Sequence, residues 1–218
     1  MSTTTSADPP RRRYHSPRRA LQADQTRRDI LAAATALFAT SGWAGTTLAA
    51  IAARAGVAVE TVYSGFGSKR ALLRAVMEVA VVGDVEPVPL ADREGFRRLS
   101  PGSTQERLRA GVALATGPHV RSAGIWRAIV EAAGADPEVE AWRAELERNR
   151  RADLQRGLQE ILGRPVEGPM LDVAWALAGP EVYHKLVVDA GMTRKAYEDC
   201  LVDALTRLTA PSKSRPPR

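Results

Sequence analysis

The stretch TTLAAIAARAGVAVETVYSGFGSKRALL, residues 46–73, decides the fold of the N-terminal part of this chain. Its apolar residues recur at helical spacing, and this pattern breaks at Gly56 and again between Gly65 and Gly67. Thr46 or Thr47 is a suitable cap for the first helix, and Gly56 ends it because glycine tolerates the left-handed conformation best. Two short helices joined by such a turn predict a helix-turn-helix.

The second helix of this motif is predicted from Ala58 to about Ser64, which is too short to be stable alone. We expect Val57, Val62 and Phe66 to hold it by packing on the first two helices. Its outer face carries small or hydrogen-bonding side chains: Ala58, Val59, Glu60, Thr61, Tyr63 and Ser64. Such a face can lie against base edges in a DNA major groove.

Two side chains beside the second break, Tyr63 and Lys69, are expected to be exposed. Ser68 is the predicted cap of the next helix, so Lys69 places an ammonium group at a helix N-terminus, where the helix dipole disfavours it. Lys69 is therefore better explained by an anion that it meets in function, such as a phosphate. Taken singly, a half-buried core tyrosine and a solvated surface lysine are the alternatives.

The composition favours a folded protein with an anionic partner. The chain has 218 residues, of which 44% are hydrophobic, and its formal net charge is +6. Seven arginines lie in the first 28 residues, and residues 1–22 predict a disordered basic arm. Nucleic acid is the first candidate partner, and a membrane surface is the alternative.

Membrane insertion and secretion are not expected from the sequence. No apolar run reaches the roughly 18 residues of a spanning helix, and the start is too polar for a signal peptide. The single cysteine, Cys200, excludes an internal disulfide and fits a reducing compartment. We therefore expect a cytoplasmic protein.

Helical spacing extends along almost the whole chain without sustained strand alternation, which predicts an all-α fold in two domains. A first helix is expected from about Asp24 to Ser41. Further helices are expected to begin at the capping box of Ser103 and Glu106, and at Asp136, which precedes a proline. The predicted divisions are a helix-turn-helix domain at 23–82, a linker at 83–103, a helical domain at 104–209 and a disordered tail at 210–218.

Residues from about 26 to 79 resemble the DNA-binding domain of the tetracycline repressor (TetR) family, through ILAAATALFATSGWAGTTLAAIAARAGVAVETVYSGFGSKRALL. The resemblance implies that Thr47 caps its helix at the DNA backbone. It also implies that Thr61 and Tyr63 contact base or phosphate and that Lys69 contacts phosphate. The variable positions of the recognition helix, where sequence choice would be made, are Ala58, Val59, Glu60 and Ser64.

The sequence departs from this family at Gly65, where many members carry histidine or tyrosine before the phenylalanine. One direct contact with DNA is therefore expected to be missing. The arginine-rich arm is expected to compensate by binding in the minor groove or along the phosphates.

The C-terminal part, about 105 to 208, resembles the ligand-binding and dimerisation domain of the same family, in IWRAIVEAAGADPEVEAWRAEL and WALAGPEVYHKLVVDAGMTRKAYEDCLVDAL. The resemblance implies that the last two helices form a four-helix bundle with a partner subunit. The apolar faces expected to serve this bundle consist of Val182, Leu186, Val187, Leu201, Leu205 and Leu208. The alternative is that these residues complete the core of a monomer.

A mainly apolar ligand pocket is expected in this domain. Its candidate lining residues are Trp126, Trp142, Trp175 and Tyr183, with His119 as a polar contact. The alternative is that these aromatic side chains only fill core. A ligand-driven change is expected to begin at the break formed by Gly117 and Pro118.

Together these observations predict a homodimeric transcriptional regulator, most simply a repressor that leaves a palindromic operator when a small hydrophobic ligand binds. An enzyme is not expected, because the three histidines (His15, His119 and His184) have no metal-ligand spacing and no catalytic motif is present. No metal and no cofactor are expected. A helical protein-interaction module that uses the helix-turn-helix as a scaffold is the main alternative.

Overall fold

The structure, a computed structural model, describes residues 17–82 and 102–210, and all regular elements in these two ranges are helices. This confirms the predicted all-α fold. The N-terminal unit contains α1 (Pro17–Ser41), α2 (Leu48–Ala55), α3 (Val59–Phe66) and α4 (Lys69–Val82). The C-terminal unit contains α5 (Thr104–Thr116), α6 (His119–Ala133), α7 (Pro137–Leu162), α8 (Gly168–Leu177), α9 (Pro180–Tyr183), a π-helix (His184–Asp189) and α10 (Arg194–Thr209).

Helix α1 begins at Pro17, so the end of the predicted disordered arm, residues 17–22, is helical instead. The absence of apolar periodicity suggested disorder, but proline suits a first helical position and the following Arg, Ala, Leu and Gln are good helix formers. Residues 1–16, most of the predicted linker (83–101) and the predicted tail from 211 lie outside the described residues.

Helix α3 also differs from its predicted extent. It continues through Gly65 and Phe66 and ends at Gly67, whose φ is +76°. The two extra residues bring Phe66 onto the core formed with α1 and α2, so a tertiary contact outweighs the low helix propensity of Gly65.

The helix-turn-helix packs on a core that both units share. Within the N-terminal unit, Phe38, Ile51 and Val62 are fully buried. The same cluster continues into α6 and α7 through Ile125, Ile129, Ala132, Val139 and Trp142. Arg70 of α4 adds ion pairs of 3.0 Å each to Asp136 and Glu138 at the start of α7. The N-terminal unit is therefore held against α6 and α7, mainly through α1 and α4.

A second core lies among α5 and α7 to α10. It includes Leu201 and Leu205, which are only 4% and 2% exposed. The prediction that these two leucines form the face of an intersubunit bundle is wrong, because they pack inside the subunit. No helix in the described parts of the chain is long and apolar enough to span a bilayer.

Candidate functional site

The turn between α2 and α3 has the geometry that the sequence predicts. Thr47 caps α2, since its Oγ1 accepts a hydrogen bond of 3.0 Å from the backbone N–H of Ala50. Thr46, the other candidate cap, is buried and donates its hydroxyl hydrogen to the carbonyl of Gly42 at 2.7 Å. Gly56 adopts φ +68° and ends α2, which turns the chain sharply into α3.

Helix α3 presents a polar outer surface. Tyr63 is 54% exposed, as expected, and Ala58, Glu60 and Ser64 are exposed beside it. Thr61 is half-buried, and its carbonyl accepts a hydrogen bond of 3.1 Å from Ser64 Oγ. Val59 also belongs to the predicted outer face, but it is half-buried and packs on the N-terminal core. We call the remaining residues the α3 surface: Ala58, Glu60, Thr61, Tyr63 and Ser64.

An open groove of about 390 Å³ separates the α3 surface from the first turns of α1. Arg19 and Arg27 of α1 line this groove opposite Thr61 and Ser64 of α3. The guanidinium carbon of Arg27 lies 4.6 Å from the centroid of the Phe66 ring, a cation–π distance that fixes its position. The groove therefore places positive charge next to the hydrogen-bonding side chains of α3.

Lys69 is half-buried, so the expectation of an exposed lysine is wrong. Its Nζ donates a hydrogen bond to the carbonyl of Trp43 and lies 4.1 Å from the centroid of the Trp43 ring. Burial lowers the pKa of the Lys69 ammonium, and the nearby carboxylate of Glu131 offsets part of this effect. The ammonium group is thus held at the turn between α1 and α2 rather than projecting into solvent.

Glu131 of α6 binds the same turn through backbone N–H groups. Its Oε2 accepts from Trp43 N at 2.7 Å and its Oε1 accepts from Ala44 N at 3.0 Å, an arrangement that we call the Glu131 clamp. These hydrogen bonds lower the pKa of Glu131 and keep it ionised. Gly42 leaves room for the clamp, because a Cβ there would lie 2.5 Å from Glu131 Oε2 and its φ is +66°.

A cavity of about 410 Å³ lies between α4 of the N-terminal unit and α5, α6, α7 and α10 of the C-terminal unit. Its wall is mainly apolar, with Met77, Val112, Leu158 and Leu205 among its residues. A cavity of this size and character suits a small apolar molecule.

The structure separates the five residues that were predicted to line a pocket. His119 and Trp126 lie in the cavity wall. Trp142 belongs to the shared core, where the guanidinium carbon of Arg74 lies 4.7 Å from its ring centroid. The other two do not line the cavity: Trp175 packs against Arg150, and Tyr183 packs between His119 and Tyr197.

The polar groups on the α6 side of the cavity are bound to protein partners. His119 Nε2 lies 2.9 Å from the carbonyl oxygen of Ala178, and Ser122 Oγ donates to the carbonyl of Pro118 at 2.9 Å. Burial, the largest effect, lowers the pKa of His119. In residues 17–82 and 102–210, no group of three or more His, Cys, Asp or Glu side chains is placed to hold a metal ion.

Comparison with known proteins agrees with this architecture. Residues 30–76 match the family model of the bacterial regulatory proteins of the tetR family. The chain carries a TetR-family DNA-binding domain. The match covers α2, α3, the second half of α1 and the first part of α4, and so includes the α3 surface. No curated protein matched the sequence.

Solved structures with the same fold include TetR-like transcriptional regulators. A TetR-like transcriptional regulator from Rhodococcus sp. RHA1 is 20% identical, with a TM-score of 0.59 over 85% of this chain and 97% of its own. LfrR from Mycobacterium smegmatis, solved with proflavine, is 24% identical, with a TM-score of 0.57 over 85% and 96%. TylP from Streptomyces fradiae is 23% identical, with a TM-score of 0.52 over 85% and 92%. These similarities establish a TetR-type fold over both units.

Two features of this TetR-type chain were absent from the sequence predictions. The Glu131 clamp joins residues 87 and 88 positions apart in sequence, so local spacing cannot reveal it. Its only local sign is Gly42, which the pattern marked simply as the end of a helix. Arg27 was counted as part of a basic stretch, but its position over Phe66 depends on α3 continuing to that residue.

Proposed function

We propose that this TetR-family regulator represses transcription as a homodimer bound to a palindromic operator, and that a small molecule in the C-terminal cavity releases it. The observation that carries the DNA-binding part is the exposed α3 surface, flanked by Arg19 and Arg27, in a domain that matches the tetR family. A regulator of this kind works where the chromosome is, so we expect a cytoplasmic location.

The contacts with DNA divide into base and phosphate contacts. Glu60 is exposed on the α3 surface and would repel phosphates, so a base-edge contact, such as accepting from cytosine N4, suits it better. Tyr63 and Ser64 extend the same surface. We expect phosphate contacts from Arg19 and Arg27, which line the groove, and from Thr47, which caps α2. Lys69 keeps ammonium hydrogens beyond the one bound to Trp43, and these are available to a phosphate.

Ligand control is proposed because the cavity is lined by α4 and α6, which also pack within or against the unit that contains the helix-turn-helix. Met77 and Val81 of α4 line the cavity, as do His119 and Trp126 of α6. The far end of α6 carries the Glu131 clamp on the turn between α1 and α2. A ligand that favours a shifted α6 or α4 would therefore bias the position of α3. The complex of LfrR with proflavine supports a small-molecule role for this fold.

Dimer formation is proposed through the surface formed by α8 and the π-helix. Val173 and Val188 are 45% and 57% exposed, and both belong to this C-terminal region. Leu186 and Val187 are half-buried at the edge of the second core and continue the apolar surface. A two-fold pairing of this surface would present two α3 helices to successive turns of DNA.

DNA binding itself separates this proposal from a protein-interaction module. The test measures fluorescence anisotropy of a labelled random-sequence duplex with the full chain at about 50 mM and about 200 mM salt. Neutralising several phosphates makes affinity fall by orders of magnitude over that range, roughly 10³-fold for six contacts. A chain that shows no binding at the lower salt concentration is not a DNA-binding regulator.

A further inference from the structure

The hydrogen bonds in the cavity wall define which kind of ligand fits. We infer that the ligand is a neutral apolar molecule carrying a hydroxyl or amino group, and that this group donates one hydrogen bond shared between Nδ1 of His119 and Oγ of Ser122. The inference rests on the proposed ligand-regulated function and adds the chemical class of the ligand.

The tautomer of His119 follows from its partner. A carbonyl oxygen only accepts, so the 2.9 Å contact from Nε2 to the Ala178 oxygen requires the hydrogen on Nε2. His119 is 7% exposed, and its burial disfavours the charged ring. In a neutral ring with Nε2–H, the other nitrogen, Nδ1, is an acceptor. Within residues 17–82 and 102–210 no donor binds this Nδ1 atom. It is also not one of the buried side-chain nitrogen or oxygen atoms that are closed to solvent and lack a hydrogen-bond partner.

Ser122 adds a second acceptor one turn further along α6. Its single hydroxyl hydrogen is donated to the Pro118 carbonyl at 2.9 Å, so only oxygen lone pairs remain for a ligand. Residues three apart lie on the same face of a helix, and both His119 and Ser122 line the cavity. The α6 side of the cavity therefore offers acceptors.

Two donors beside the α6 side have protein partners, whereas the amide of Asn149 on α7, also in the cavity lining, can donate to a ligand. The indole N–H of Trp126 donates to Glu181 Oε1 at 2.6 Å. Arg150 donates to the Trp175 carbonyl at 2.9 Å and to Glu147 Oε2 at 2.7 Å. Its Nε is buried without a partner and is sealed from the cavity. A ligand carboxylate placed against the α6 side would lose its hydration and face the lone pairs of His119 and Ser122, which disfavours its binding there.

Three probes of the same shape test the inference: 4-cyclohexylphenol, its methyl ether and 4-cyclohexylbenzoate. They are titrated calorimetrically into the full chain, and release of bound duplex is followed in parallel. The phenol should bind about tenfold more tightly than the ether, the value of one neutral hydrogen bond. The benzoate should bind most weakly.

Two variants assign the donor preference to these residues. His119→Phe keeps an aromatic ring and removes the acceptor, so phenol and ether should bind it with similar affinity. Ser122→Ala should reduce the preference for phenol while leaving the ether unaffected, and it serves as the second test if His119→Phe does not fold.

The possible results test the donor inference separately from the proposed ligand-regulated function. Equal affinity for phenol and ether, or tightest binding of the benzoate, overturns the donor inference while a ligand site remains. A preference for phenol that survives in both variants overturns the assignment to His119 and Ser122. If none of the three probes binds, the donor inference falls. If a probe binds and never changes duplex affinity, ligand control falls while the donor inference stands.

Discussion

At the scale of single residues, Tyr63 is the largest exposed side chain of the α3 surface. It projects from the helix beside Val62, which is fully buried, so the register of α3 determines its exposure. Its hydroxyl has no hydrogen-bond partner within the described ranges. An aromatic side chain held outward in this way is suited to contact a base or a phosphate.

Removing the Tyr63 side chain should weaken operator binding without unfolding the protein. We expect Tyr63→Phe to lose about tenfold in affinity, since one hydrogen bond is removed, and Tyr63→Ala to lose more. Binding is measured by anisotropy with a selected operator, and circular dichroism checks the fold. Unchanged affinity of a folded Tyr63→Ala protein would show that this tyrosine does not contact DNA.

Lys69 is expected to serve both the fold and the DNA backbone. Lys69→Met removes the hydrogen bond to the Trp43 carbonyl and one positive charge. Affinity should then fall by about the same factor for every DNA sequence. The slope of log affinity against log salt concentration should become flatter by roughly one unit. A fall in melting temperature with an unchanged salt slope would make Lys69 purely structural, and a changed sequence preference would make it a base contact.

At the scale of helices, local chemistry predicted the caps well and the long-range contacts poorly. Thr47, Ser103 and Asp136 cap the helices that the sequence assigned to them, because each cap is satisfied within three residues. The continuation of α3 to Phe66 depends on packing against distant residues, so spacing alone ended that helix too early. The Glu131 clamp could not be predicted for the same reason.

The Glu131 clamp gives a prediction about the junction of the two units. Glu131→Ala leaves the N–H groups of Trp43 and Ala44 without their acceptor. We expect the melting temperature to fall by a few degrees and operator affinity to decrease, because the turn that supports α2 and α3 loosens. Glu145→Gln, an exposed charge change on α7, is the matched control.

Differential scanning calorimetry and anisotropy measure these two effects. If Glu131→Ala matches Glu145→Gln in both stability and DNA affinity, the clamp does not support the helix-turn-helix.

At the scale of the whole molecule, the fold class and the helix-turn-helix were predictable from the sequence. What the apolar faces of the last helices pack against was predictable only in part. Helical spacing identifies an apolar face without saying what covers it. Leu201 and Leu205 have the spacing of an interface, yet they close the second core and line the cavity. Val188 is left exposed at 57% on the π-helix. The candidate dimer surface therefore moves from α10 to α8 and the π-helix.

Val188→Glu should weaken the dimer while leaving the monomer folded, because it places two like charges across a two-fold contact. Val120→Glu is the matched control, since Val120 is 53% exposed but lies at the start of α6. Sedimentation velocity at micromolar concentration should show a dimer for the control and a monomer for Val188→Glu. Identical sedimentation of the two variants would place the interface elsewhere.

The central claim, that this chain is a dimeric regulator that reads DNA with α3, is tested most directly by selecting binding sites from random double-stranded DNA. The full chain should enrich a palindrome whose half-site centres lie about 34–36 Å apart, or one helical turn. Tyr63→Ala at the same concentration should fail to enrich it. A pool that shows no enriched sequence after selection with the wild-type chain would contradict the account.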